Sequence, residues 1–448
     1  MLKTKTFREN KFSLEIFKQI DKKNIYFKKK FGDINLISIF FLEIQKYLSC
    51  SFKVLLNNEK YRKEIKFPFF DKNYLEKLNK LNFTSSGLNQ SILDDDFKDT
   101  KLFYNFANKL SVYKKKDVGI YSSNKFIENF ISKKNVKSYR KLYFEKIFLN
   151  NYNEQSKILK QFLEKFRKKL RIKNIYFAEN FLRWTKIFIS ENSKSNILST
   201  NKLYIGSNMQ IKNRIMSARY LFNKKKVISF AHANYSSLIY EDPVNECGEF
   251  CFCSSYHSNG KVPFKKKYIK SNLLKPKTVI YKTVLRRNFI SSPKKIRKIV
   301  YIPNSYNSYR RYGYFRDIND ANYIKWQKKI IGSSNNIYIK HHPKSRFRYS
   351  IFKKREIREI NIQNIINKYD LFIFDLISQP FFTIAETNKK ILYLDINQRK
   401  INKHIMHLIK KRALVVKCDL NKTSSNKIKE FINKAYNFKI KNFNILNH

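Results

Sequence analysis

The last third of the chain fixes the fold class. Short apolar runs that end in polar or charged residues recur between residues 298 and 417: KIVYIPNS (298–305), NIYIKHHP (336–343), DLFIFD (370–375), KILYLD (390–395) and ALVVK (413–417). Runs without strict apolar–polar alternation fit strands covered on both faces, the condition of a parallel sheet. The stretches DANYIKWQKKIIGS (320–333), IREINIQNIINKY (357–369), PFFTIAETNK (380–389) and NKIKEFINKAYNF (426–438) carry helical spacing. Strand, helix, strand in succession is the βαβ rhythm of an α/β layer.

The same rhythm occurs upstream in weaker form. VGIYSS (118–123), KLYIGSN (202–208), KVISFAHAN (226–234) and EFCFCSS (249–255) are predicted strands, and QIKNRIMSARYLF (210–222) is a predicted helix. The stretch from Lys125 to Ser193, dense in Lys and Phe, reads as helices. So do parts of residues 1–110, which also hold a polar loop, TSSGLNQSILDDDFKD (84–99). No sequence repeat is evident. The two halves meet near 275–297, around KPKT and SSPKK. A length of 448 residues suits two or three domains. The expected division is a mostly helical N-terminal extension (1–110), a Rossmann-like domain (111–290) and a second Rossmann-like domain (291–448).

Composition narrows the partners. Lys and Arg total 94 against 34 Asp and Glu, a formal charge of +60. Such an excess admits nucleic acid, anionic lipid or phosphorylated substrates. Part of it follows a coding bias that also enriches Asn, Ile, Phe and Tyr. Five cysteines, an odd number, do not suggest a disulfide framework. The start, MLKTKTFRENKFSLEIFKQI, has no continuous apolar core, and the run Ile34 to Leu42 is too short to span a bilayer. The expectation is a cytoplasmic protein able to rest on the inner face of a membrane.

In an open parallel sheet, ligands bind outside the carboxyl ends of the strands. Asn304, Ser305, Lys340, His341, His342, Asp375, Asp395 and His232 all end predicted strands. Alternation places Lys340 and His342 on one face and His341 on the other. Held by Pro343, His342 can donate a hydrogen bond to a phosphate with Lys340 as a point charge beside it. The plainer reading is two surface histidines in a basic loop. Ser378 precedes a predicted helix that carries Thr383 and Glu386. It is either a plain helix cap or part of an anion site. Arg310, Arg311 and Arg316 alternate with aromatic rings in NSYNSYRRYGYFRD (304–317), a mix suited to stacking on a base. Cys247, Cys251, Cys253 and His257 do not have a usual zinc spacing and read better as buried strand residues. Asp94 to Asp96 read as a solvated loop, and His404 and His407 as a helix surface. No phosphate-binding glycine motif is present.

The succession K-x-H-P at 340–343, a strand ending in Asp375, a serine-bearing turn, an aromatic-rich helix, and N-K-x leading into a strand ending in Asp395 resembles the C-terminal half of surface-polysaccharide transferases of the GT-B fold. That group includes the CDP-glycerol glycerophosphotransferase-like and capsule-synthesis enzymes. KIVYIPNSYNSYRRYGYFRD (298–317) resembles the opening strand of the same half. VISFAHANYSSLIYED (227–242) resembles a family strand that ends in His-Gly, with His232 in place and Ala233 where glycine is usual. Lys390 likewise stands where proline is usual, and Thr383 falls near an expected acid.

The resemblance implies two Rossmann-like domains facing across a cleft. It implies transfer of a sugar or polyol-phosphate from a UDP-, CDP- or CMP-linked donor to a glycan or lipid-linked acceptor, with His232 as general base. Donor binding would involve Asn304, Ser305, Arg310, Lys340, His342, Asp375, Ser378, Thr383 and Glu386, with no metal and no cofactor. A nucleotide-sugar epimerase of the same fold is the alternative enzyme. A basic nucleic-acid-binding protein is the alternative outside enzymes, and the two departures leave room for an inactive relative.

Overall fold

The computed structural model describes residues 5–57, 118–121, 140–169, 175–198, 200–206, 208–230, 243–258, 278–281, 298–304, 320–341, 352–359, 361–397, 401–441 and 445. Two helices come first, α1 (Lys5–Phe31) and α2 (Leu36–Asn57). They are joined through Gly32, whose φ of 86° is costly for any residue with a β-carbon. The start of α2 is capped reciprocally. The Ser38 amide donates to Asn35 Oδ1, and the Asn35 amide donates to Ser38 Oγ, both at 2.9 Å.

Next come β1 (Val118–Ile120), β2 (Arg140–Lys141) and β3 (Ile147–Phe148), then α3 (Tyr152–Lys169), α4 (Phe177–Thr185) and β4 (Ile189–Ser190). The first half continues with β5 (Lys202–Ile205), α5 (Ile211–Phe222), β6 (Lys226–Phe230), α6 (Pro243–Phe250), β7 (Ser255–Ser258) and β8 (Thr278–Tyr281). The second half runs β9 (Ile299–Ile302), α7 (Asp320–Gly332), β10 (Ile337–Ile339), β11 (Leu371–Phe374), α8 (Gln379–Ala385), β12 (Lys390–Asp395), α9 (Lys403–Arg412), β13 (Leu414–Lys417) and α10 (Ser425–Asn437).

The first sheet has the strand order β2-β1-β5-β6-β7-β8 and the second β10-β9-β11-β12-β13. Every pairing in both is parallel. Numbered within each half, the orders are 2-1-3-4-5-6 and 2-1-3-4-5. Each sheet therefore reverses its winding once, between β1 and β5 in the first and between β9 and β11 in the second. The chain is an α/β protein of two Rossmann-like layers, a structural repeat that the sequence does not display.

Alternation along the second sheet explains its two-sided burial. Ile299, Tyr301, Leu371, Ile373, Leu392 and Leu394 pack with α7 and α10. Val300, Ile302, Phe372, Phe374, Ile391 and Tyr393 pack with α8 and α9. That second cluster also contains Leu203, Ile205, Val227 and Tyr256 of the first half, so one apolar cluster includes residues of both halves. Arg412, fully buried at the end of α9, gathers the carbonyls where α8 stops. Its Nε donates to Ala385 at 2.7 Å, and its Nη2 donates to Ile384, Thr387 and Lys389 at 3.0, 2.7 and 2.8 Å. Burial pushes its guanidinium down to about 9, and those four carbonyl dipoles hold the charge in place.

The N-terminal helices are not a loose appendage. Residues of α1 to α4 form one buried cluster with the outer side of α5 and α6, including Ile211, Ile215, Cys247 and Cys251. At Gly248 the backbone of α6 comes so close that a β-carbon would lie 2.9 Å from Leu42 Cδ1 and 2.2 Å from Met209 Sδ. Arg214 of α5, fully buried, is paired with the buried Glu43 of α2. It also donates to the carbonyls of Ile39 at 2.7 Å, Asn208 at 2.7 Å and Met209 at 3.2 Å.

Three predicted stretches differ. Lys125 to Ser193 is not helical throughout: the short strands β2, β3 and β4 lie within it, β2 on the first sheet and β3 paired with β4. EFCFCSS is not a strand: residues up to Phe250 end α6, Phe252 turns the chain at φ 52°, and β7 begins only at Ser255. An apolar run of that length satisfies a buried helix end as well as a strand. The span 357–369 is not one helix but two short 3-10 turns, Ile362–Asn364 and Ile366–Lys368. Its apolar residues sit where they fill the cluster under β11 without a continuous helical stripe.

The buried pair makes a clear prediction. Removing one partner leaves an uncompensated buried charge, so Glu43→Gln or Arg214→Ala is expected to cost about 3–5 kcal/mol. The apolar double replacement Glu43→Leu with Arg214→Met is expected to cost less than either single change. Urea midpoints, at unchanged slope, measure both.

Candidate functional site

The winding of the second sheet reverses between β9 and β11, and a ligand site in such a sheet lies at the carboxyl ends on either side of that point. Three neighbouring strands end there. The register pairs Ile339 with Tyr301 and Phe374 with Ile302, so Lys340, Asn304 and Asp375 follow adjacent strand ends. Adjacent parallel strands lie about 4.8 Å apart, so three strand ends span about 10 Å, room for a ligand of nucleotide size.

Asp375 organises this rim from below. Its carboxylate is buried and accepts from Tyr301 Oη at 2.5 Å, from Tyr323 Oη at 2.7 Å and from the Asn304 amide at 3.2 Å. Tyr323 Oη in turn accepts from the same amide at 2.8 Å. Burial pushes the Asp375 carboxyl up, while the hydrogen bonds from Tyr301, Tyr323 and Asn304 pull it back. The same surroundings push the Tyr301 hydroxyl well above its ordinary value, chiefly through desolvation and then through the Asp375 charge, so it remains a donor. Asp375 thus holds the turn after β9 against the end of β11.

Lys340 is buried along its stem at the end of β10, its amide donating to the Tyr301 carbonyl at 2.9 Å. Desolvation lowers its pKa, and Glu359 opposes this from the segment that follows. The Lys340 ammonium makes no hydrogen bond to any described residue. His341 turns to the outer edge. Its Nε2 lies 3.5 Å from Glu356 Oε1 and its ring 5.8 Å from Phe352. Burial lowers its pKa against the pull of Glu356. A parallel bridge between Ile339 and Glu356 carries that acid to the strand edge.

Ser378 takes the N-cap position of α8 in an extended conformation, yet its side chain makes no capping hydrogen bond. The plain-cap reading is therefore not what this serine does. Thr383 lies one turn into the helix, where its hydroxyl donates to the Gln379 carbonyl at 3.2 Å. Glu386 ends the helix and leads toward the start of β12. Eight rises of about 1.5 Å separate the two cap positions, so Glu386 stands about 12 Å from Ser378. The rim thus brings together Asn304, Lys340, Asp375 and Ser378, and leaves Thr383 and Glu386 away from it.

His232, Ser305, Arg310 and His342 lie outside the described residues, as do Asp94 to Asp96. Cys251 and Cys253 are buried, each donating its thiol to a carbonyl three residues back at 3.3 Å. Burial pushes the Cys251 thiol up to about 12. Among the described residues no group of three or more His, Cys, Asp or Glu is placed to hold a metal ion. His404 and His407 are exposed on α9. Tyr301 and Tyr323, which sequence reasoning missed, are ordinary core aromatics by pattern; only their shared carboxylate marks them out.

No family model and no curated protein matches the chain. Solved structures similar to it include CalG4, the calicheamicin glycosyltransferase, at 6% identity and a TM-score of 0.37, over 72% of this chain and 90% of that one. MurG of Acinetobacter baumannii is similar at 6% identity and 0.34, over 74% and 92%. A protein described as a UDP-N-acetylglucosamine 2-epimerase, from Listeria monocytogenes, is similar at 8% and 0.35, over 72% and 89%. Among the described residues no helix is long and apolar enough to cross a membrane.

Asp375→Ala strands the hydroxyls of Tyr301 and Tyr323 and is expected to cost about 1–3 kcal/mol of stability. Tyr323→Phe is expected to cost less. Because both act through one carboxylate, the double variant should fall clearly short of the sum in a thermal or urea denaturation cycle.

Proposed function

We propose that the chain is a transferase that binds a nucleotide-activated donor at the carboxyl rim of its second sheet and passes a sugar or polyol-phosphate to a glycan or lipid-linked acceptor in surface polysaccharide synthesis. The observation that carries the donor half is the buried-stem Lys340 beside Asn304 and an uncapped Ser378 at the winding reversal of a parallel sheet. A diphosphate needs a fixed positive charge and polar donors where the leaving oxygens gain charge. Lys340 supplies the charge, and the Ser378 hydroxyl and the Asn304 side chain supply hydrogen bonds. Asp375 acts through Asn304 as a positioning residue. His342, Ser305 and Arg310 are proposed to complete the donor site on the grounds of the sequence pattern.

For the acceptor half the proposal is that His232 takes a proton from the acceptor hydroxyl as it attacks the donor. That role rests on the family resemblance alone. A nucleotide-sugar epimerase would use the same donor rim and release a free sugar epimer instead of a coupled product, so product analysis separates the two.

Titration calorimetry against UDP, CDP, CMP and GDP tests the donor site. Binding of at least one is expected, weakened by about 1.5–3 kcal/mol in Lys340→Ala and by a similar amount in His342→Ala. No binding of any of the four overturns the reading. The pH dependence has a definite sign. Lys340 holds phosphate only when protonated, and burial lowers its pKa below 10.5. Affinity is therefore expected to fall as pH rises through that lowered value, and Lys340→Arg is expected to shift the fall to higher pH.

A further inference from the structure

The rim of the first sheet opposite its strand carboxyl ends carries a feature that donor binding does not use. Two segments run side by side there, 194–198 with 200–202 at the start of β5, and 222–226 from the end of α5 to the start of β6. They are tied by hydrogen bonds. Asn223 Nδ2 donates to the Asn196 carbonyl at 2.9 Å, and Lys225 Nζ donates to the carbonyls of Leu198 and Thr200 at 3.3 and 3.0 Å. The Lys226 amide donates to the Asn201 carbonyl at 3.3 Å, and Lys202 and Lys226 are register partners. The patch is thus built, with Asn223 and Lys225 turned in to tie the two segments together.

What it turns out is apolar and basic. Ile197 is 73% exposed and Phe222 39% exposed. Around them Lys194, Lys202, Lys224 and Lys226 are exposed. The acids nearby are Glu145, whose carboxylate is engaged by Arg219, and Glu191. Lys224, two residues after Phe222, is held at φ 55° in a left-handed turn. An exposed aliphatic and an exposed aromatic side chain on two adjoining segments that also expose four lysines match a surface with anionic headgroups above an apolar layer. A phosphate backbone would use the lysines and leave Ile197 in water. A second copy of a chain carrying a formal +60 would bring like charges together.

We infer that this amino-edge patch, Ile197 and Phe222 within Lys194, Lys202, Lys224 and Lys226, docks the protein on an anionic lipid surface. Strands of four to five residues at about 3.3 Å each then hold the carboxyl rim of the first sheet roughly 15 Å from the contact. The inference stands independently of the donor reading.

Vesicle co-sedimentation of the full chain tests it, with phosphatidylcholine vesicles alone and with added phosphatidylglycerol. Binding to the anionic vesicles only is expected. Ile197→Asp with Phe222→Asp should lower it roughly tenfold, and Lys202→Gln or Lys226→Gln roughly fivefold each. Both apolar positions are exposed, so circular dichroism and melting should stay unchanged; Ile197→Ser with Phe222→Ser gives a milder second variant. Binding to anionic vesicles that all these variants leave intact would show that diffuse charge, not the patch, is responsible and would overturn the inference. So would absence of vesicle binding, or tight binding of single-stranded oligonucleotide that the lysine variants weaken and the apolar variants do not.

Discussion

The contact between Arg214 and Glu43 is the constraint on which the first half depends. A guanidinium with no exposure must have its charge balanced and its donors satisfied, and α2 supplies both the carboxylate and the Ile39 carbonyl. The remaining donors go to Asn208 and Met209, in the turn that leaves β5 beside the winding reversal of the first sheet. Asn208 in its turn holds the Cys251 carbonyl at 2.6 Å and accepts from Ser217 Oγ at 2.9 Å. One ion pair thus fixes an N-terminal helix, the β5–α5 turn and the end of α6 relative to one another.

The second half uses the same logic with a carboxylate at the centre. Asp375 ends β11, and the donors that satisfy it come from β9, from the turn after β9 and from α7. A buried acid so placed is costly unless fully bonded, and full bonding is what sets the position of Asn304. Lys340, by contrast, keeps its ammonium free of described hydrogen-bond partners.

Much of the second half was legible in the sequence because its strands are short apolar runs bounded by polar residues. DLFIFD and KILYLD became β11 and β12 within a residue of their expected limits. Polarity at the strand ends marked Asn304, Lys340 and Asp375, which follow adjacent strand ends in the second sheet. The sequence was less clear where apolar residues served packing without periodicity, as at 249–255 and 357–369. It could not reveal that Tyr323 and Asp375, 52 residues apart, share a hydrogen bond, or that Arg214 meets an acid 171 residues away. Nor could it distinguish Thr383 and Glu386, which lie along the helix, from Ser378 at its start. Pattern places a residue on an element; which end of the element faces the rim depends on topology.

The joint core of α2 with α5 and α6 has a consequence for the order of events during synthesis. A ribosome adds roughly 5–20 residues per second, and about 200 residues separate the end of α2 from Cys251, so roughly 10–40 s pass before the last partners of α2 are made. During that interval α2 can pack only on α1 and then on α3 and α4, through contacts such as Phe17 with Phe41 and Phe40 with Trp184. The side of α2 that meets Arg214 and Gly248 is covered last. The helical cluster of the first half is therefore completed only when α5 and α6 arrive, and a chain stopped before residue 250 is expected to leave that side of α2 in water.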